Sequence, residues 1–158
     1  MSDATTISPA GIQHQLSIPL PKALAARIHM HLTIHTHHLL LFITTRTPET
    51  PGSPAPLGSF VYALPSTTQP TPLSTTLYFR EDTIDVATRL AKILAKRTML
   101  PVYVGCSVSF SAAGRGGNVD EEMEGIRNVV RTVVERVQAA RIVEGVEEVV
   151  KGVEGVKV

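Results

Sequence analysis

The chain has 158 residues, 43% of them hydrophobic, enough for one domain with a single core and too little for a second. Its formal charge of +1, from 15 Lys plus Arg against 14 Asp plus Glu, removes any global pull towards nucleic acid or an anionic membrane. One cysteine, Cys106, excludes an internal disulfide; no basic stretch followed by an apolar run opens the chain, and Leu39 to Ile43, its longest apolar stretch, is too short to cross a bilayer. A soluble protein of a reducing compartment is expected.

The halves of the chain differ. Residues 1 to 79 carry five charged side chains (Asp3, Lys22, Arg27, Arg46, Glu49) and all six histidines, and the remaining charges fall after residue 79. Strands avoid charge and helices display it on their wet faces. An α+β order follows, with β structure first and helices later.

In chain order, residues 1–11 are small and polar with Pro9 and Gly11, and are expected to be a disordered tail. Ile28, Met30, Leu32 and Ile34 alternate with His29, His31, Thr33 and His35, the parity of a strand. Leu39 to Ile43 is apolar on both faces, so that strand must be covered twice. The proline-rich stretches 47–58 and 65–72 read as loops and bracket a strand from Gly58 to Leu64; Leu73, Thr75, Leu77 and Phe79 alternate as the next. The period then changes. From Thr83 to Thr98, Val86, Ala87, Leu90, Ile93 and Leu94 make an apolar stripe and Arg89, Lys92 and Lys96 a basic one, with Thr83 as expected N-cap. After Pro101 the chain's clearest strand runs through Val102, Val104, Cys106, Val108 and Phe110. A glycine turn, 114–117, leads to Asn118, placed with Glu121 as a capping box for a last helix in which Met123, Ile126, Val130, Val133 and Val137 recur. Residues 142–158, rich in Val, Glu and Gly, are expected to be a frayed helix or flexible tail, leaving 12–141 as the single domain.

Candidate chemistry is thin. His29, His31 and His35 share a strand face, so a metal-dependent enzyme is conceivable, but no Asp, Glu or Cys lies between residues 4 and 48 to complete or orient such a site. The 114–117 loop lacks the spacing of a phosphate cradle, and Asp120, Glu121 and Glu122 already fill the helix start with negative charge. Cys106 sits among valines, where a thiol is buried and inert. A small RNA-binding module would need stacking aromatics, and the seven in this sequence are scattered. The Arg89, Lys92, Lys96 stripe is a solvated helix face or a docking surface for an acidic protein. No enzyme and no cofactor is specified.

Two helices can cover one face of a small sheet. The other face, with Leu39 to Ile43 and Phe60-Val61-Tyr62-Ala63, is too apolar to leave in water, and a second chain's sheet is its simplest cover. The expected fold is an α+β domain: an antiparallel sheet of about six strands with two main helices on one face and a partner's sheet on the other.

The run Ala87-Thr88-Arg89-Leu90-Ala91-Lys92-Ile93-Leu94-Ala95-Lys96-Arg97-Thr98, followed by Leu100 to Val108, resembles the helix-then-strand segment of the proteasome assembly chaperone 4 family in a fungal form. Ile28 to Leu32, Gly58 to Ala63, Pro72 to Leu77 and Glu121 to Glu124 resemble further segments in the same order, so the likeness spans roughly residues 28 to 138. It implies a non-catalytic chaperone of cytoplasm and nucleus, pairing with a proteasome assembly chaperone 3-like subunit. The heterodimer would bind proteasome alpha subunits to promote formation of the 20S alpha ring, with no nucleic acid or membrane partner. The family supplies no binding residue; an acidic patch on an alpha subunit is the expected target of Arg89, Lys92 and Lys96.

Overall fold

A computed structural model describes residues 4–8 (backbone), 11–23, 25–46, 52–110 and 119–155. Among the described residues, seven strands and two helices follow in the order β1 (Ala4–Ser8), β2 (Gly11–Pro19), β3 (Arg27–Ile34), β4 (Leu39–Arg46), β5 (Ser59–Leu64), β6 (Leu73–Tyr78), α1 (Ile84–Thr98), β7 (Val102–Ser107) and α2 (Val119–Glu154). All seven strands form one sheet in the order β1-β2-β3-β4-β7-β5-β6. The six strands β2 to β7 make its body. Edge strand β1 pairs antiparallel with β2, within the segment expected to lie outside the fold.

The expected wholly antiparallel sheet is corrected in one place: β4 and β7 pair in parallel. The reason is the crossover through α1. A helical connection returns the chain to the end from which it left, so β7 runs parallel to β6. Inserted between β5 and β4, β7 is antiparallel to β5 and parallel to β4. The last strand in sequence thereby becomes a central one. That position explains its clear alternation, with Val102, Val104 and Cys106 fully buried.

Both helices lie on one face. Val86, Ala87, Leu90, Leu94 and Ala95 of α1 and Ile126, Val129, Val133 and Val137 of α2 close the core over Ile28, Met30, Leu32, Leu39, Leu41, Val61 and Val104. Thr83 does not cap α1 with its side chain. Its buried hydroxyl accepts the Ser59 backbone N–H at 3.0 Å and shares a hydrogen bond with Ser59 Oγ at 2.8 Å, latching α1 to β5. At the other end Met99 takes a left-handed conformation and donates its N–H to Ala95 O at 3.0 Å, ending the helix before Pro101. β7 stops at Ser107, short of the expected Phe110, where Ser109 N–H turns to Thr45 Oγ1 at 3.0 Å. α2 runs unbroken to Glu154, with every described residue from Arg141 onwards exposed. The glycine turn 114–117 and Asn118 lie outside the described residues. No described helix is long and apolar enough to cross a membrane.

Candidate functional site

Strand parity gives the sheet a second face that neither described helix covers. Its residues follow from the pairing: Gln15 beside His31, His31 beside Phe42, Phe42 beside Gly105, Gly105 beside Phe60, and Leu40 beside Tyr103 beside Tyr62. The β2–β3 half is polar. The β4–β7–β5 half is aromatic, with ring centroids 6.0 Å apart for Phe42 and Phe60, 6.1 Å for Phe60 and Tyr103, and 4.7 Å for Tyr62 and Tyr103. These four residues, distant in sequence, correct the expectation of scattered aromatics.

The stripe continues to the sheet edge. A bulge opposite Phe60 and Val61 sets Tyr78, in place of Leu77, beside Phe60, and Leu73 beside Leu64. Leu64, Leu73 and Tyr78 are 40%, 58% and 54% exposed, so the patch crosses four strands with large apolar side chains in contact with water. Apolar surface of this kind marks an interaction site, for protein, membrane or ligand.

The proline-rich loop walls this face on one side. Arg46 Nη2 donates to Ser53 O at 3.2 Å, and Ala55, Pro56 and Leu57 face His29, His31 and Phe42 across a groove of about 630 Å³. Arg27 Nε donates to Ser17 Oγ at 2.7 Å and fixes the far wall. Burial, then the Arg46 and Arg27 charges, hold His29 below the usual imidazole range. Two guanidinium groups beside an imidazole also oppose a bound cation. His35 stacks on His38 at 4.2 Å in the β3–β4 turn, and no three ligating side chains among the described residues converge to hold a metal ion. Cys106 is buried on the helix side, and desolvation pushes its thiol up to about 12, so it is no nucleophile.

The basic stripe of α1 is only partly free. Arg89 Nη1 contacts Glu122 Oε1 of α2 at 3.0 Å, which neutralises its charge; Lys96 is exposed and Lys92 half-buried. The stripe and the aromatic face lie on opposite sides of the domain.

The domain has two layers, with both helices on one face of the sheet and an aromatic stripe on the open face. The sequence model of the proteasome assembly chaperone 4 family matches residues 27–108, β3 through β7, and the chain belongs to that family of proteasome assembly chaperones. Its fold is similar to that of a chain in the crystal structure of a chaperone complex for yeast 20S proteasome assembly, with a TM-score of 0.53 at 15% identity over 80% of this chain and 94% of that one. No curated protein matches the sequence.

Proposed function

We propose that this chain is one subunit of a non-catalytic, heterodimeric assembly chaperone. Its open sheet face pairs with the sheet of a proteasome assembly chaperone 3-like subunit, and the pair holds alpha subunits while the 20S alpha ring forms. The aromatic stripe Phe42, Phe60, Tyr62 and Tyr103 carries the reading. Family membership and the fold shared with a chain of the yeast chaperone complex support it. A sheet laid on this face would bury the rings and leave both helices outward for a client.

The test is co-expression with a chaperone 3-like subunit and alpha subunits. Tyr62→Glu with Tyr103→Glu puts two carboxylates in the centre of the contact, where single anchors carry about 2 kcal/mol or more. Co-purified partner should fall at least about tenfold with an unchanged circular dichroism spectrum. Full partner recovery with the folded double variant would overturn the proposal.

A further inference from the structure

The sheet is almost devoid of charge, and its two exceptions stand together. The seven described strands contain no aspartate, glutamate or lysine; histidines aside, their charged residues are Arg27 and Arg46. Arg27 opens β3, Arg46 ends β4, and the two are register partners across that antiparallel pair. Strand parity puts both on the open face, Arg27 in phase with His29 and His31 and Arg46 in phase with Phe42 and Thr44. Like charges directly opposite on neighbouring strands repel, so as a feature of the fold alone the pair is unfavourable.

Neutral groups hold both side chains in place. Arg27 donates from Nε to Ser17 Oγ at 2.7 Å and from Nη2 to Ser17 O at 3.1 Å, and Arg46 from Nη2 to Ser53 O at 3.2 Å. Neither arginine has a carboxylate partner among the described residues. Residues 4–48 contain no aspartate or glutamate, and Glu49 lies outside the described residues. Both arginines are half-buried, and Arg46 lines the groove of about 630 Å³ with Ser17, His29 and Thr44. That groove meets the aromatic stripe at Phe42 and Gly105. A carboxylate entering it would meet a guanidinium fork already fixed in position, the arrangement that favours bidentate binding.

We propose that the partner subunit seats an aspartate or glutamate of its facing sheet on the Arg27–Arg46 pair, and that this contact makes the face select a different chain over a second copy of itself. The inference rests on the sheet-face pairing proposed above. Arg46 is about 13 Å along β4 from Phe42 at about 3.3 Å per residue, within the footprint of a partner sheet of ordinary size. Covering the stripe therefore desolvates two like charges, and without an anion that cost is uncompensated. A second copy brings two further arginines and no carboxylate from its strands, so self-pairing carries the cost twice. A partner with an acidic side chain at this place removes it. Attraction to the right chain and repulsion of the wrong one then come from the same two residues.

Affinity of the full-length chain for a chaperone 3-like subunit tests this. Arg27→Gln with Arg46→Gln should weaken it at least about tenfold. Arg46→Gln should leave the urea midpoint of the free chain unchanged or higher, because a repulsion is relieved. In sedimentation of the chain alone, the double variant should self-associate at lower concentration than the unaltered chain. An Arg46→Lys chain treated with a carbodiimide in the complex should form an amide to an aspartate or glutamate of the partner, located by peptide mapping. A link to Glu49 in its place would show that the pair is neutralised within the chain and overturn the proposal. So would undiminished partner affinity of the double variant, or self-association no stronger than before. The Tyr62→Glu, Tyr103→Glu variant separates the two readings: partner lost there but fully bound by the arginine variant leaves the sheet-face pairing standing and removes the acidic contact alone.

Discussion

Gly105 of β7 and Phe42 of β4 are partners across the parallel pair at the centre of the sheet, and the Phe42 ring lies where a Gly105 side chain would stand. Leu57 of the proline-rich loop closes over the same spot, its Cδ1 3.1 Å from the position of a Cβ. The missing side chain lets the ring lie flat on β7 and meet Phe60. Gly105→Ala should therefore lower stability by about 1–3 kcal/mol in urea denaturation and weaken partner binding, because the displaced ring breaks the aromatic stripe. Combining it with Phe42→Ala should cost less than the sum of the two single changes.

Thr83 and Ser59 join the two halves of the fold by hydroxyl contacts in place of a helix cap. Thr83→Val keeps the shape but leaves the Ser59 N–H buried without its acceptor, and should cost about 1–3 kcal/mol in thermal or urea unfolding. Thr83→Ser should restore most of it. A loss for Thr83→Ser with none for Thr83→Val would show that the methyl, not the hydroxyl, matters.

Stability should fall at both ends of the pH range. His29 is held below its ordinary value by burial and by Arg46 and Arg27, so on acidification the unfolded chain takes up the proton first and stability declines from about pH 6.5 downwards. His29→Gln should flatten that limb. Cys106, pushed up to about 12 by burial, reverses the sense. Above about pH 9 the unfolded thiol ionises and the folded one does not, so stability falls as pH rises, and Cys106→Ala should reduce the slope. At pH 8 a thiol reagent should leave the native protein unmodified and label one cysteine after denaturation.

Periodicity disclosed β3, β4, β5, α1 and β7, because each is locally amphipathic or apolar throughout. β2 was equally open to parity, with Ile12, Leu16 and Ile18 on one side and Gln13, Gln15 and Ser17 on the other. His14, buried on the apolar side, disguised it. What spacing cannot show is which strands become neighbours. The stripe of Phe42, Phe60, Tyr62 and Tyr103 exists because α1 carries β7 back between β4 and β5, so residues about 40 to 60 positions apart meet on one face. Apolar excess predicts the exposed face; its aromatic centre depends on the crossover. Likewise, helix periodicity placed Arg89 in the basic stripe but could not reveal that Glu122 neutralises it.

That pairing refines the test of the client surface. With Arg89 engaged by Glu122, Lys96 and the half-buried Lys92 are the stripe's unneutralised charges, on the side of the domain away from the aromatic face. An assembly factor must release its client later, so the client contact should be smaller and more polar than the subunit contact, with charge setting encounter rate and orientation. Lys92→Glu with Lys96→Glu should leave the chaperone pair intact on size exclusion and weaken alpha-subunit binding several-fold at low ionic strength. The difference should shrink at about 0.5 M salt, where the Debye length falls to roughly 4 Å. Arg89→Glu, by contrast, breaks an ion pair between α1 and α2 and should lower stability slightly, by less than about 1 kcal/mol for a pair this exposed. Unchanged alpha-subunit binding after reversal of Lys92 and Lys96 would make the stripe a solubilising face and place the client contact elsewhere on the domain.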